Sequence, residues 1–349
     1  MESIPGLIEP PGRDATSAYE PMKATRLSRA ALLATVIAAL GVAPTASAIM
    51  AGRAPDSPSA RIDPNTTNSP YAGVGSVVVG GSSLSGVVIA TQYVLTAGHV
   101  VAGQAPSNVQ FVLNTGSVPW VSSVESITVY PTFAFPYDDL AIIKLTSPVP
   151  AGVPIYSMYS GALTTGLTVT LVGYGSSGNG DVGVTVNGAS TVKRVGGNVV
   201  DSLQTTLDTS GKTSRFFVYD FDGPTGSGSL GGPTIGNAIE SVVAVGDSGS
   251  PAFVKNGAAL QLFGINNFVA PQPGTGTTVT YEFGTIGGGI VACDPRFATW
   301  LYQTTNGTLG VGYEASGDGP LPDWAYLSLA VTLFGLAAVR LRHGGAVST

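Results

Sequence analysis

The stretch Gly246-Asp247-Ser248-Gly249-Ser250-Pro251 places one serine between two glycines, with an aspartate before it and a proline after it. Residues of these types predict a tight turn, which can lift the Ser248 hydroxyl clear of a β-scaffold. Because glycine has no side chain to block a ligand, the N–H groups of Gly246 and Ser248 are candidates to face a developing oxyanion. The same composition is also typical of an ordinary polar β-turn, so the interpretation depends on residues upstream.

A single imidazole is placed to act with that serine. The chain has two histidines, and His343 lies in the extreme C-terminal tail, which leaves His99. His99 follows an apolar run that ends in small residues, Val94-Leu95-Thr96-Ala97-Gly98. A general base that works near neutral pH is most often a histidine, so His99 is the candidate base. The alternative is a histidine that is only packed or exposed to solvent.

Two carboxylates precede an apolar strand. Asp138 and Asp139 stand directly before the segment Leu140–Leu145. A carboxylate at this position could fix the tautomer of His99. Asp139 is the preferred acid because it directly precedes the strand, and the alternative is a carboxylate that is simply solvated.

In the order His, Asp, Ser, these segments resemble the motifs of the trypsin/chymotrypsin-like serine protease family. The resemblance covers about residues 49–305. It implies that His99 is the base, Asp139 the orienting acid and Ser248 the nucleophile, with an oxyanion hole formed by the N–H groups of Gly246 and Ser248. Gly249-Ser250 stands where the family usually has Gly-Gly, and Val100 stands where a cysteine often follows the histidine.

The resemblance implies a secreted serine endopeptidase that hydrolyses protein or peptide substrates and needs no cofactor or metal. The alternative is a catalytically silent, surface-binding β-domain of the same fold. A net charge of −6 with only 15 Lys and Arg residues argues against a nucleic-acid partner. The single cysteine, Cys293, excludes an intramolecular disulfide. A member of this family without disulfides indicates a bacterial protein.

Short runs of β-branched residues, broken by Gly and Ser, predict an all-β fold. The resemblance implies two antiparallel six-stranded β-barrels of chymotrypsin type, at about residues 70–150 and 165–292. The crossover from one barrel to the other is marked by Pro148, Pro150 and Pro154. Asp294-Pro295 predicts the start of a short C-terminal helix, through an N-cap aspartate and a proline at the first helical position.

The N-terminal region predicts export. Basic residues at 23–29, an apolar run at 30–42 and the small-residue site Ala46-Ser47-Ala48 are typical of a secretory signal peptide. The leader and signal peptide together occupy residues 1–48, and translation from Met22 would give a signal peptide of ordinary length.

Cleavage by signal peptidase after Ala48 would expose Ile49. The resemblance implies that the new ammonium group of Ile49 pairs with Asp247, since an unpaired buried carboxylate is costly. Signal peptidase would then deliver the active N-terminus directly. The alternative is a disordered mature N-terminus, because Met50 and Ala51 depart from the family motif.

The C-terminal region predicts attachment to a membrane. Residues 306–319 are typical of a flexible linker, and residues 320–349 contain Pro320-Leu321-Pro322-Asp323-Trp324, an apolar run and a basic end. Together they resemble a PEP-CTERM type of sorting tail with a short transmembrane helix, which an exosortase cuts in Gram-negative bacteria. We therefore expect an exported protein that is periplasmic, anchored in the inner membrane, or at the cell surface. The alternative is a permanent C-terminal membrane anchor.

The resemblance also gives candidates for the substrate pocket. The residue six positions before the nucleophile, Val242, falls at the base of the pocket, and no acid stands there. Asn267-Phe268-Val269 falls along the bound substrate, with Val269 at the rim and Gly289 on the opposite wall. These residues imply a small apolar pocket and cleavage after small apolar residues rather than after Lys or Arg.

Overall fold

The structure, a computed structural model, describes residues 48–207, 213–226 and 228–309. The first half of this range folds into a closed antiparallel barrel with the strand order β1-β2-β3-β6-β5-β4. Its strands are β1 (Val74–Val79), β2 (Ser82–Ala90), β3 (Tyr93–Thr96), β4 (Val109–Leu113), β5 (Trp120–Val129) and β6 (Ala141–Leu145).

The barrel closes around apolar side chains that alternate along the strands. From Val121 to Glu125 in β5, exposed and buried side chains alternate, with Ser122 and Val124 buried. Val77, Leu95, Phe111 and Ile143 from the four other strands β1, β3, β4 and β6 are fully buried. This alternation is the pattern that a strand with one face on a core requires. The barrel therefore provides a rigid wall for the loops at its rim.

A short helix continues from the barrel rim. Helix α1 (Gly98–Val101) begins directly after β3 and contains His99 on its first turn. A 3₁₀ turn over Pro106–Asn108 follows and leads into β4. Strand β3 thus fixes the position of His99 through only two intervening residues, Ala97 and Gly98.

The second half forms one seven-stranded antiparallel sheet, with the order β10-β7-β13-β14-β15-β12-β11, and a separate hairpin of β8 and β9. Its strands are β7 (Thr168–Gly173), β8 (Ser177–Asn179), β9 (Gly183–Val186), β10 (Arg194–Val199), β11 (Ser202–Leu207), β12 (Thr213–Asp220), β13 (Pro251–Asn256), β14 (Ala259–Ala270) and β15 (Ile286–Ile290).

The seven-stranded sheet curls towards a barrel. Strands β10 and β11 lie at opposite edges, yet only Val200 and Asp201 separate them in the chain. The three steps from Val199 to Ser202 span at most about 11 Å, so the two edges come close together at this point. The predicted all-β, chymotrypsin-like architecture is confirmed, and the second half has a seven-stranded sheet and a two-stranded hairpin where a six-stranded barrel is expected.

The predicted C-terminal helix is also confirmed. It begins as a 3₁₀ turn over Pro295–Phe297 and continues as helix α2 (Ala298–Thr304). The Asp294 side chain accepts a hydrogen bond from the Arg296 backbone N–H and caps the turn. The turn therefore begins where the N-cap aspartate and the proline at the first helical position predict it.

The leader and signal peptide up to residue 47, and the linker and sorting tail from residue 310 onwards, lie outside the described residues. Along the part of the chain that is described, none of the helices has the length and apolar character needed to cross a membrane.

Candidate active site

Asp139 and His99 form a tightly held acid–base pair. Asp139 is fully buried, and its Oδ2 lies 2.6 Å from His99 Nδ1. Its Oδ1 accepts the backbone N–H of His99 at 2.7 Å. Because one carboxylate contacts both the ring and the backbone of the same residue, the imidazole has a defined orientation. The Phe135 ring packs edge-on against it, with 5.1 Å between the ring centroids.

Sequence reasoning missed a further partner of Asp139. Asn267 Nδ2 donates to Asp139 Oδ2 at 3.0 Å and to the Pro136 carbonyl at 3.2 Å. The β14–β15 pairing shifts register between Asn266 and Phe268, so Asn267 occupies a bulge. Two buried asparagines within the apolar strand β14 are the signal that could have found this contact.

The neighbouring carboxylate, Asp138, is hydrogen-bonded to residues other than His99. It is fully buried and has a positive φ of 50°. Its oxygens accept hydrogen bonds from Ser214 Oγ at 2.6 Å, Thr132 Oγ1 at 2.5 Å and Arg296 Nη2 at 2.8 Å. The structure therefore brings Asp139, the residue preferred from the sequence, to the histidine.

The turn that carries Ser248 docks on the rim of the barrel. Ser85 of β2 donates its backbone N–H to the Ser248 carbonyl at 3.0 Å. Gly249 has a φ of +84°, and a Cβ there would lie 2.1 Å from Thr96 Oγ1. Only glycine therefore fits at position 249. The residue that it contacts, Thr96, lies three residues before His99 in the chain. Ser248 itself is half-buried.

Some backbone N–H groups around Ser248 donate hydrogen bonds within the protein, and others do not. Asp247 N–H donates to Ala244 O at 3.1 Å, Ser250 N–H to Asp247 O at 2.8 Å, and Gly249 N–H to Asn266 O at 2.9 Å. Among the hydrogen bonds that join described residues, none uses the N–H of Gly246 or Ser248 as its donor. Gly246 has a φ of +89°, a conformation that glycine adopts without strain.

Asp247 is buried beside this turn. Its Oδ2 accepts the Ala244 N–H at 3.0 Å, and its Oδ1 accepts the Gly175 N–H at 3.3 Å. Burial raises the pKa of Asp247 well above its ordinary value, and the two hydrogen bonds and the charge of Arg194 oppose that rise only in part. A positive group closer to this carboxylate would therefore stabilise its ionised form.

The segment around Ile49 is packed into the second half of the protein. Residues 48–51 are fully buried. Ser177 Oγ donates to the Ile49 carbonyl at 2.6 Å, and the Met50 N–H donates to Val242 O at 3.0 Å. This burial argues against a disordered N-terminus. A peptide bond joins Ala48 to Ile49 in this chain, so the ion pair between Ile49 and Asp247 stays a prediction.

The candidate pocket residues lie in the core and on two paired strands of the second half. Val242 is fully buried in the hydrophobic cluster that also contains Ile49. Val269 is half-buried and pairs across the sheet with Gly287, whereas Gly289 pairs with Asn266.

The register shift at Asn266 places Gly287, rather than Gly289, directly across the sheet from Val269, and the assignment of Gly289 to the pocket wall stays a prediction. A Cβ on Gly289 would lie 1.9 Å from the Ile265 carbonyl, so Gly289 packs within its own sheet. A Cβ on Gly287 would lie 2.7 Å from the Tyr219 ring, whose hydroxyl donates to Asn266 Oδ1 at 2.8 Å. Sequence reasoning missed Tyr219 at this face.

Several carboxylates are buried near the loop that leads to Val242. Burial raises the pKa of Glu240 to about 8, and the negative charge of Asp222 adds to the rise. Burial likewise raises the pKa of Asp201 to about 7 and that of Asp222 to about 6, in both cases with a contribution from Asp220. Within the described ranges, no group of three or more His, Cys, Asp or Glu side chains is arranged to hold a metal ion.

An antiparallel barrel with a histidine–aspartate pair at its rim, joined to a second β-sheet with a serine turn, defines a chymotrypsin-like β-protein. The family model described as Trypsin matches residues 63–284, so the chain belongs to the trypsin family. This membership confirms the resemblance and supports a serine protease fold and peptide or protein substrates. No curated protein matches the chain.

Proposed function

We propose that this protein is an active serine endopeptidase with the triad Ser248, His99 and Asp139. The observation that carries the proposal is the contact of Asp139 with both the ring and the backbone of His99, at 2.6 and 2.7 Å. The half-buried Ser248 adds support, because its turn docks beside Thr96 on the same rim. A packed histidine with no catalytic role would not require this arrangement.

The chemistry follows from the hydrogen bonds. Nδ1 of His99 faces Asp139, which leaves Nε2 to take the proton of the Ser248 hydroxyl as the hydroxyl attacks the scissile carbonyl. His99 then returns this proton to the leaving amine, and water hydrolyses the acyl-enzyme in the reverse sequence. The N–H groups of Gly246 and Ser248 bind the oxyanion, and Asp139 stabilises the imidazolium.

The proposed specificity is cleavage after small apolar residues. Val242 supplies no charge at the base of the pocket, and Val269 narrows its rim. Tyr219 and the glycines of β15 form the far side, where the Tyr219 hydroxyl is already engaged by Asn266. A Lys or Arg side chain would have no carboxylate partner among these residues.

We further propose that the chain is exported and matures at both ends. Signal peptidase would release Ile49, whose segment is already buried beside Val242. The C-terminal tail would hold the precursor in the inner membrane until an exosortase-type enzyme cuts it near residues 320–324. Mass spectrometry of the cell-associated protein tests this, because an intact Thr349 would indicate a permanent anchor instead.

A fluorophosphonate probe tests the proposed activity. The Ser248 oxygen displaces fluoride from such a probe only if His99 accepts its proton, so the wild-type protein should become labelled. Ser248→Ala and His99→Ala should abolish labelling, whereas Ser107→Ala, at an exposed serine, should leave it unchanged. A folded wild-type protein that resists the probe would favour a catalytically silent β-domain.

A further inference from the structure

Two adjacent buried carboxylates serve different partners at this site. Asp138 and Asp139 are both fully buried, and consecutive Cα atoms are only about 3.8 Å apart. The positive φ of Asp138, 50°, turns its side chain away from the one that contacts His99. Two like charges so close in a desolvated place are costly unless each has an opposite charge or hydrogen bonds.

Arg296 supplies the opposite charge for Asp138. Its Nη2 lies 2.8 Å from Asp138 Oδ2. The guanidinium is held in place by the rings of Phe297 and Tyr130, at 5.0 and 5.8 Å from their centroids. The backbone N–H of Arg296 donates to Asp294 Oδ1 at 3.1 Å. The C-terminal turn therefore presents one cation to the loop that carries the catalytic acid.

Asp138 also ties together three separate parts of the chain. Ser214 Oγ on β12 donates to Asp138 Oδ1 at 2.6 Å and accepts the Asp138 N–H at 3.1 Å. Thr132 Oγ1 donates from the loop after β5. With Arg296, these contacts fix the backbone directly before Asp139.

We propose that Asp138 and Arg296 form a positioning charge pair that orients Asp139 and keeps its surroundings electrically neutral. This inference rests on the proposed triad. Among the described residues, neither Asp138 nor Arg296 is hydrogen-bonded to His99, so both act through Asp139. Through this pair the C-terminal turn, far along the chain from the histidine, would help to position Asp139.

The other charges nearby do not replace this pair. On the C-terminal turn, Asp294 Oδ2 lies 3.2 Å from Arg215 Nη1 of β12, so these two charges offset each other. Tyr130 is the titratable group that packs on Arg296 from the loop after β5. Tyr137 packs on Phe216 and lies in the loop before Asp138.

The sign of each substitution follows from Coulomb's law. Arg296→Gln leaves the negative charge of Asp138 uncompensated, which stabilises the imidazolium and raises the pKa of His99. Asp138→Asn leaves the positive charge of Arg296 uncompensated, which lowers the pKa of His99. The double variant removes both charges and should restore the wild-type value. Each single shift is expected to be about half a pH unit.

The test is the pH profile of kcat/KM for protein purified after expression from the full-length gene. The acidic limb of this profile should move to higher pH in Arg296→Gln and to lower pH in Asp138→Asn. In the double variant it should lie at the wild-type pH. Arg296→Lys should keep the wild-type limb even if its Tm falls. The matched control is Lys144→Gln, which removes one cation from an ion pair with Glu125 and should shift nothing.

A second measurement separates this proposal from the proposed function. NMR titration of the His99 ring reads its pKa without any turnover, and His99→Gln assigns its signal against that of His343. If Arg296→Gln and Asp138→Asn shift the His99 titration in opposite directions while the protein has no activity, the proposed charge pair is supported and the proposed protease function is overturned. Shifts in the same direction, or no shift, in an active enzyme would overturn the pair and leave the triad intact. If Arg296→Gln fails to fold, Asp138→Asn and Arg296→Lys still decide.

Discussion

Asn267 Nδ2 lies 3.0 Å from Asp139 Oδ2, the oxygen that faces His99 Nδ1 at 2.6 Å. The second sheet thus contacts the buried acid of the first barrel directly. This hydrogen bond makes the orientation of the acid depend on the packing of the two halves against each other.

Loss of that contact should slow the reaction without unfolding the protein. Asn267→Ala removes a hydrogen bond to a charged group, worth about 1.5–3 kcal/mol, so kcat/KM should fall about 10- to 100-fold. Asn256→Ala, at the far end of the same hairpin, is the matched control and should retain activity. Steady-state kinetics of both variants decide, and equal rates would mean that Asp139 needs no help from β14.

The triad residues should show the largest effects. Ser248→Ala and His99→Ala should each lower kcat by about 10⁶, because the nucleophile and the base act as one unit. Asp139→Asn should cost about 10⁴, since the amide favours the wrong tautomer of His99. Turnover of a peptide substrate measures these losses. Full activity of Asp139→Asn would remove this carboxylate from the mechanism.

The N-terminus should control activity through Asp247. A protein that begins at Ile49 should be active, because its ammonium can pair with the buried carboxylate. The same protein with one added glycine before Ile49 should lose at least about 10²–10³ in rate, since the oxyanion donors beside Asp247 would be misplaced. Circular dichroism should show the same fold for both. Equal activities would assign Asp247 another partner, such as the nearby Arg194.

The pocket should select small apolar side chains. A peptide library should show cleavage after Ala or Val and little after Lys or Arg, because Val242 and Val269 offer no charge. Val269→Gly should widen the rim and shift the preference towards larger apolar residues. Dominant cleavage after Lys or Arg would overturn this account of the pocket.

Stability should fall as the pH rises through neutrality. Burial raises the pKa of Glu240 from 4.5 to about 8, so the folded state holds a proton that the unfolded state releases above pH 4.5. The stabilisation is complete below pH 4.5 and is lost as the pH approaches 8. The raised pKa values of Asp201 and Asp222 act in the same direction. We expect a lower Tm at pH 8 than at pH 5.

Glu240→Gln tests this assignment, because the amide can still accept the Ile235 N–H but does not titrate. Its Tm should depend less steeply on pH between 5 and 8. Glu125→Gln, at an exposed ion pair, is the control and should keep the wild-type slope. An unchanged slope in Glu240→Gln would mean that Glu240 does not carry this pH dependence.

Local chemistry explains what the sequence predicts well. The serine turn, the apolar strand before His99 and the Asp294-Pro295 cap each depend on neighbours in the chain, and the structure has a turn, a strand and a helix start at these positions. The preference for Asp139 over Asp138 also depends on a local feature, the adjacent strand. Only one of the two carboxylates contacts the histidine.

Contacts between distant residues explain what the sequence does not reveal. The β-bulge at Asn266 leaves no periodic signal in the sequence, yet it brings the Asn267 side chain to Asp139. It also places Gly287, rather than Gly289, across the sheet from Val269. Arg296 meets Asp138 across 158 positions. Such pairs become visible only when packing brings the strands together.

The barrel that carries His99 and Asp139 is built from one continuous stretch, residues 74–145, whereas Ser248 lies in the turn before β13 of the later sheet. A nascent chain can therefore complete the barrel while the nucleophile is still unmade. Neither half alone would contain the complete proposed triad. A polypeptide severed in the crossover between β6 and β7 would give two inert pieces, and any proteolysis after mixing them would report their reassembly.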